Sequence, residues 1–185
     1  MQFELSNHFQ FSLILLASVF IAAAGYIIND YFDQNIDQIN KPTKMVVNTI
    51  INRRWVIFWH MVLSLAGLFF TMLALPIQLY WHLVLGNLGA ILLLWFYSTN
   101  FKKQLLIGNI IISLLTAWVI LILFFAKFPL LLDELLLVDH DKVRFFRLSI
   151  LYASFAFIIS LVREVVKDME DIEGCLLYTS PSPRD

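Results

Sequence analysis

The sequence contains very little cysteine and little charge for its length. Its one cysteine, Cys175 among 185 residues, excludes an intrachain disulfide framework and a thiolate-rich metal site. Charged residues make up 15% of the chain, against about 25% in soluble domains. The net charge of −1 gives no electrostatic basis for nucleic-acid binding. The first ten residues contain no lysine or arginine, so a cleavable signal peptide is not predicted.

Apolar residues make up 60% of the chain, and the mean hydropathy of the chain is +0.79. They form five long runs, each close to the ~20 residues that cross a bilayer as a helix. Lipid admits only helices and closed barrels, and the alternating pattern of strands is missing. The sequence therefore predicts an all-α, polytopic membrane helix bundle. The runs cover residues 9–28, 55–75, 77–96, 105–126 and 146–166.

Basic residues orient this bundle in the membrane. They follow the first and third runs and close the fifth, whereas the short hairpin at Pro76 on the opposite side has none and only the longer loop 127–147 carries them. The positive-inside rule therefore predicts a multi-pass protein in which the ends of these three spans face the cytoplasm. The residues of this basic group are Lys41, Lys44, Arg53, Arg54, Lys102, Lys103, Arg163 and Lys167.

An acidic cluster directly continues the first run and reads Asn29-Asp30-x-x-Asp33-x-x-x-Asp37. If the helix continues, Asn29, Asp33 and Asp37 share one face, with neighbours about 6 Å apart. Carboxylates this close repel one another unless a cation lies among them. Oxygen ligands without histidine or thiolate favour Mg²⁺, and acids at membrane depth are functional candidates because they are costly. The alternative is a solvated acidic loop that caps the span.

A second acidic cluster ends the fifth run and reads Arg163-Glu164-x-x-Lys167-Asp168-x-x-Asp171. Glu164, Asp168 and Asp171 share one helical stripe, and such a cluster alone is typical of an ordinary charged helix end. Between the two clusters the chain crosses the membrane four times. Because an even number of crossings returns it to the same side, both clusters face one aqueous surface, with the two lysines after the third run. They are therefore able to share metal ions and a diphosphate.

These residues resemble the motifs of the UbiA prenyltransferase superfamily. The first cluster is similar to its NDxxDxxxD motif. The second is similar to its K-D-x-x-D-x-x-G-D motif through Lys167, Asp168, Asp171 and Gly174, with Cys175 where the family has its last aspartate. The segment 97–109 resembles the family's tyrosine–lysine loop. The resemblance covers about residues 9–174.

The resemblance implies transfer of an isoprenyl group from an allylic isoprenyl diphosphate to an acceptor within the lipid bilayer. It also implies Mg²⁺ as the cofactor, because metal and lysines stabilise the charge that grows on the leaving diphosphate. The implied metal ligands are Asn29, Asp30, Asp33, Asp37, Asp168 and Asp171, of which Asp33, Asp37, Asp168 and Asp171 are the implied catalytic residues. The implied diphosphate-binding residues are Tyr97, Lys102, Lys103, Arg163 and Lys167.

The acceptor stays open among a quinone precursor, a porphyrin-type alcohol, a glycerol phosphate and haem, and the prenyl chain length stays open as well. The spanning runs exclude a soluble isoprenyl synthase. A membrane transporter or channel with intramembrane acidic ion sites is the alternative function, because intramembrane acids also mark ion pathways. Inverted repeats would support that alternative, and the sequence shows none.

The ends of the sequence depart from the family pattern. Family members have about nine spans, so residues 1–174 are predicted to be a partial prenyltransferase domain from a larger bundle. The segment 175–185 reads CLLYTSPSPRD, and its composition predicts a disordered or non-native tail. Because an open bundle admits water to a reactive cation, the 185-residue chain itself is expected to be inactive.

Small and polar residues inside the spans predict packing rather than chemistry. Gly86, Asn87 and Gly89 in the third run predict a seam where two helices approach closely. The histidines His60 and His82 have no second metal ligand at helical spacing. They are interpreted as packing or interfacial hydrogen-bonding residues.

Overall fold

The computed structural model describes residues 5–34, 47, 50–101, 104, 106–128 and 140–170. This part of the chain forms five helices, each long and apolar enough to cross a membrane. The prediction of an all-α, polytopic membrane protein is therefore confirmed. The helices are α1 (Leu5–Phe32), α2 (Arg53–Ala74), α3 (Ile77–Thr99), α4 (Ile107–Lys127) and α5 (His140–Glu170).

Helices α1 and α5 extend beyond the apolar runs that predict them. Helix α1 continues past residue 28 to Phe32, and α5 begins at His140 rather than near residue 146. Hydropathy marks only the lipid-embedded part of a helix, whereas the i→i−4 hydrogen bonds continue through polar residues at the interface. The extension of α1 places Asn29 and Asp30 within the helix.

The hairpin between α2 and α3 is as short as Pro76 predicts. Helix α2 ends at Ala74, Leu75 adopts an extended conformation, and Pro76 is the residue that precedes α3. Proline suits the start of a helix because it lacks the N–H that would have no intrahelical acceptor there. The two helices are therefore antiparallel neighbours.

The five helices are arranged as an open arc. Helix α1 packs most extensively on α2, and α4 packs on α5, while α3 connects the two pairs by contacting α1, α2 and α4. Within the described ranges, α1 and α5 make no direct packing contact. The C-terminal ends of the first and last helices therefore flank a gap instead of a packed interface.

Close approaches between helices depend on particular glycines. A Cβ atom on Gly67 would lie 2.6 Å from Ile21 Cγ1 and 3.2 Å from the Ala17 carbonyl oxygen, so α1 and α2 meet there. A Cβ atom on Gly86 would lie 2.3 Å from Trp118 Cζ2, which confirms close packing at this position. At Gly89 nothing lies within 4 Å. The prediction of a seam was wrong for Gly89, because that face of α3 meets no neighbour in the described bundle.

Polar side chains of α2, α3 and α4 form a hydrogen-bond network inside the bundle. Asn87 Nδ2 donates to Thr71 Oγ1 at 2.8 Å, and Thr71 Oγ1 donates to the Gly67 carbonyl oxygen at 2.8 Å. Trp118 Nε1 donates to Asn87 Oδ1 at 3.2 Å. Since an unpaired polar group is costly in an apolar environment, this network joins α2, α3 and α4 at one depth.

Apolar side chains fill the bundle at the end away from the acidic motifs. The buried residues there come from α1, α2, α3 and α4, and we call this group the distal cluster. Trp118 and Phe125, whose ring centroids lie 6.0 Å apart, both pack against it. The distal cluster consists of Leu13, Ile14, Ala74, Leu75, Leu83 and Ile122.

Candidate active site

The end of α1 presents a carboxylate that is hydrogen-bonded to an amide. Helix α1 ends at Phe32, but the Asp33 N–H still donates to the Asn29 carbonyl oxygen at 3.0 Å. The side chains of Asn29 and Asp33 therefore lie on one side, as the predicted spacing requires. Asn29 Nδ2 donates to Asp33 Oδ2 at 2.7 Å, and Asp33 is only 6% exposed.

The end of α5 presents two acids one turn apart. Glu164 is 6% exposed, whereas Asp168 lies nearer the helix end and is solvent-exposed. Asn109, in the first turn of α4, donates through Nδ2 to Asp168 Oδ2 at 2.8 Å. This bond fixes the start of α4 against the end of α5 and orients the carboxylate of the second motif.

Tyr97 brings the two acidic motifs together. It lies near the end of α3, is buried, and lines one cavity together with Asn29 of the first motif and Glu164 of the second. The ends of α1, α3 and α5 and the start of α4 thus meet at one end of the bundle, which is the surface that crossing parity predicts. An even number of crossings places these ends on one side of the membrane but does not make them neighbours. In the structure they lie next to one another.

A cavity of about 440 Å³ opens among these helix ends. Asn29, Arg163, Glu164 and Lys167 line one end of it, which we call the polar mouth. From Asn29 the lining continues along α1 to Ser18, a distance of about 16 Å at the rise of an α-helix. The remaining wall is mainly apolar and includes Ile21, Ala22, Gly25, Ala90, Leu94, Ile112, Leu115 and Val119.

The structure brings together most of the predicted site residues that it describes. Asp33 lies beside the polar mouth through its hydrogen bond with Asn29, and Asp168 lies one helical turn beyond Glu164 and is hydrogen-bonded to Asn109. Asp30 is exposed on α1 and does not belong to the lining of this cavity. Arg163, Lys167, Tyr97 and Asn29 line the cavity directly. The predicted site residues Asp37, Lys102, Lys103 and Asp171, and the segment 175–185, lie outside the described residues.

Two residues of this site were not among the predicted site residues. Glu164 was placed on the acidic stripe of α5 but was given no role, and its burial depends on how α5 packs. Asn109 was noted at the start of the fourth run, but its bond to Asp168 joins residues 59 positions apart. In the sequence, the feature that could have indicated both residues is a polar side chain next to an apolar run.

The oxygen atoms at the polar mouth fit a hard divalent cation. Among the described residues, no group of three or more His, Cys, Asp or Glu side chains is placed to hold a metal ion. The donors present are carboxylate and amide oxygens, from Asp33, Asp168 and Asn29. Mg²⁺ typically binds one or two protein carboxylates together with substrate phosphates and water. A site of this composition therefore suits Mg²⁺ when a phosphate-bearing ligand is bound.

The fold and the site together define an integral membrane protein of packed helices with an oxygen-rich mouth on an apolar intramembrane cavity. The chain belongs to the UbiA prenyltransferase family, whose family model matches residues 2–182. This match confirms the resemblance that the two acidic motifs indicate.

Several curated relatives carry the name digeranylgeranylglyceryl phosphate synthase. The protein of that name from Methanothermobacter thermautotrophicus is 35% identical over 92% of this chain and 54% of its own length. Those from Methanoregula boonei and Sulfurisphaera tokodaii are 33% and 30% identical, each over 88% of this chain and 52% of their own length. The chain thus spans about half the length of the curated relatives it matches. No solved structure matches it significantly.

Proposed function

We propose that this chain forms part of an enzyme that transfers an isoprenyl group from an allylic isoprenyl diphosphate to an acceptor within the membrane. One observation carries the proposal. Residues of two separate motifs, Asn29 with its hydrogen-bonded partner Asp33 and Glu164 with Lys167, lie at the polar mouth of a mainly apolar cavity. An isoprenyl diphosphate has the same two-part character, a charged head and an apolar tail, and a site binds a ligand whose groups it complements.

The proposed reaction begins when the bond between the allylic carbon and the diphosphate oxygen breaks and its electron pair leaves with the diphosphate. Arg163 and Lys167 at the polar mouth attract the charge that grows on this leaving group. Mg²⁺, held by Asn29, Asp33 and Asp168, would supply further positive charge to the diphosphate. An acceptor oxygen then bonds to the allylic carbon, and the proton that the acceptor loses leaves with the diphosphate.

The apolar wall of the cavity has a separate part in this proposal. An allylic cation reacts with water, and residues such as Ile21, Leu94 and Leu115 exclude water from the space below the polar mouth. The ring of Tyr26 also lines the cavity, and an aromatic face stabilises a nearby cation.

The relatives' shared name suggests the class of acceptor. A digeranylgeranylglyceryl phosphate contains two geranylgeranyl groups on one glyceryl phosphate. We therefore propose that the donor is geranylgeranyl diphosphate and that the acceptor is a glyceryl phosphate that already bears one geranylgeranyl group. Attack by its hydroxyl oxygen gives an ether. The polar mouth is proposed to face the cytoplasm, because the basic residues follow the same helix ends.

Donor binding is the direct test, and it is measured on the chain in lipid nanodiscs by thermal unfolding. Geranylgeranyl diphosphate with Mg²⁺ is expected to stabilise the fold by about 2.7 kcal/mol at a hundredfold excess over Kd, and neither alone is expected to do so. Asp33→Asn is expected to abolish this stabilisation. Without ligand it is expected to raise the unfolding temperature, because it removes repulsion among buried carboxylates.

The matched control is Asp141→Asn, which removes an exposed acid from the opposite end of α5. It is expected to leave the ligand-dependent stabilisation unchanged. Stabilisation by the donor that needs no Mg²⁺, or that survives Asp33→Asn, would contradict the proposed site. Complete absence of donor binding would favour the transporter alternative.

A further inference from the structure

The inner end of the cavity borders the distal cluster. On three helices, a residue that lines the inner end lies one helical turn from a member of that cluster. The pairs are Ser18 and Ile14 on α1, Asn87 and Leu83 on α3, and Trp118 and Ile122 on α4. Because the cluster is buried and close-packed, a ligand tail that enters from the polar mouth reaches a wall at this depth.

Trp118 is the side chain that belongs to both regions. Its indole lines the cavity, and it also packs against the distal cluster. From Asn109, which contacts the second acidic motif, Trp118 lies nine residues along α4, or about 14 Å at the helical rise. With Val119 and Ile120 it therefore lies where the cavity lining meets the distal cluster.

Two contacts hold the Trp118 indole in place. Its Nε1 donates to Asn87 Oδ1 at 3.2 Å, and Asn87 is itself held by its 2.8 Å bond to Thr71. The ring also lies against Gly86, which neighbours Asn87 on the same helix, where an added Cβ would come within 2.3 Å of Cζ2. A ring that is held by a hydrogen bond and by close contact with a helix backbone is not easily displaced by an isoprenyl tail.

We propose that Trp118 sets the depth of the isoprenyl site and thereby limits the length of the isoprenyl tail that the protein accepts. This inference rests on the proposed function and adds a specificity-determining residue to it. A tail that ends before the indole gains the full apolar contact of the wall. A longer tail has to displace the indole and break its bond to Asn87, and overpacking of this kind opposes binding.

The test compares tail lengths in wild type and Trp118→Leu. Binding to the nanodisc-embedded chain in Mg²⁺ is measured by competition among farnesyl, geranylgeranyl, geranylfarnesyl and hexaprenyl diphosphates. Trp118→Leu is expected to shift the preference toward the longer tails by about tenfold or more, the scale at which one or two methylene groups are discriminated in apolar pockets. Trp118→Phe, which keeps a smaller ring without Nε1, is expected to give an intermediate shift.

The matched control is Trp81→Leu. Trp81 is 58% exposed on α3 and lies away from the cavity lining, so its loss is expected to leave the length preference unchanged. A Gly86→Ala variant tests the position of the ring, because the new methyl group pushes the indole away from α3 and toward the cavity. When Trp118 is present, Gly86→Ala is expected to shift the preference toward shorter tails. In the Trp118→Leu background the same substitution is expected to have no such effect.

The outcomes separate this inference from the proposed function. If no tail length binds in the presence of Mg²⁺, the proposed function fails. If the diphosphates bind and the length preference is the same in wild type, Trp118→Phe and Trp118→Leu, the function stands and the role of Trp118 is overturned. Loss of binding in Trp118→Leu together with an unchanged preference in Trp118→Phe also counts against it, since it marks Trp118 as a packing residue only.

Discussion

At the scale of single residues, each acidic motif pairs a carboxylate with an asparagine. Asn29 donates to Asp33 from within the same motif, whereas Asn109 donates to Asp168 from a different helix. An amide that donates to one carboxylate oxygen fixes the direction of the other, and outer hydrogen bonds of this type tune metal affinity. The asparagines therefore orient the acids.

Replacing Asn109 is expected to weaken Mg²⁺ binding without unfolding the protein. Asn109→Leu removes the bond to Asp168 at similar side-chain size, and loss of an outer partner of a metal ligand costs about 10–100-fold in metal affinity. The measurement is the Mg²⁺ concentration needed for half-maximal binding of geranylgeranyl diphosphate. It is expected to rise by that factor, while donor affinity at saturating Mg²⁺ recovers.

Asn100→Leu is the control, because Asn100 lies exposed at the end of α3. Its Mg²⁺ dependence is expected to match that of wild type. An unchanged Mg²⁺ requirement in Asn109→Leu would show that Asp168 does not depend on this amide for its orientation.

Motif spacing indicated Asn29, Asp33, Asp168 and Lys167, since local helical geometry fixes those relationships. It did not indicate Glu164 as a buried residue of the site. Whether a charged residue near a helix end faces water or a cavity depends on which helices surround it. That information lies in tertiary packing and not in the spacing along one helix.

At the scale of helices, the contact between α1 and α2 depends on the absence of a side chain at Gly67. Its missing Cβ leaves room for Ile21 and for the backbone carbonyl of Ala17. The Ile21 side chain is able to move, but the Ala17 carbonyl is part of α1. A larger residue therefore has to separate the two helices.

Gly67→Ala is expected to destabilise the bundle by about 1–3 kcal/mol, the usual effect of overpacking a close interface. Gly89→Ala makes the same chemical change on α3, where no atom lies within 4 Å, and is expected to be neutral or slightly stabilising. The free energy of unfolding of both variants is measured in the same detergent. Equal effects in the two variants would contradict a specific α1–α2 contact at Gly67.

The sequence predicted the helices better than it predicted their contacts. Each apolar run became a helix because the bilayer requires one, although α1 and α5 extend further into the interface. Gly86 and Gly89 lie three residues apart in the same predicted seam, yet only Gly86 meets another helix. A small residue permits a close approach, but the position of the neighbouring helix decides whether one occurs.

At the scale of the whole molecule, two separate causes bring the acidic motifs together. The number of membrane crossings places both motifs on one surface, and the packing of the helices places both at one cavity. Helix α3 contacts α1, α2 and α4, and its Tyr97 lines the cavity together with residues of both acidic motifs. Parity follows from counting spans. The order in which the helices pack depends on tertiary contacts, which the sequence pattern does not predict.

The side of the membrane that holds the polar mouth is tested with single cysteines in a Cys175→Ser background. Asn100→Cys marks the end of α3 near the site, and Gln78→Cys marks the opposite end of the same helix; both positions are exposed. An impermeant thiol reagent on intact cells is expected to label position 78 and to label position 100 only after permeabilisation. The reverse pattern would place the polar mouth outside the cytoplasm.

The open arc also has a consequence for how the protein is made. Asp33 follows α1 and Asp168 lies near the end of α5, so the two carboxylates reach the same end of the bundle only after α5 has been inserted into the membrane. Before that, the buried carboxylate of Asp33 already has a hydrogen-bond donor, because Asn29 donates to it from the same segment. Helix α1 thus carries a partner for its acid during biogenesis, before α3, α4 and α5 bring the other described residues of the site.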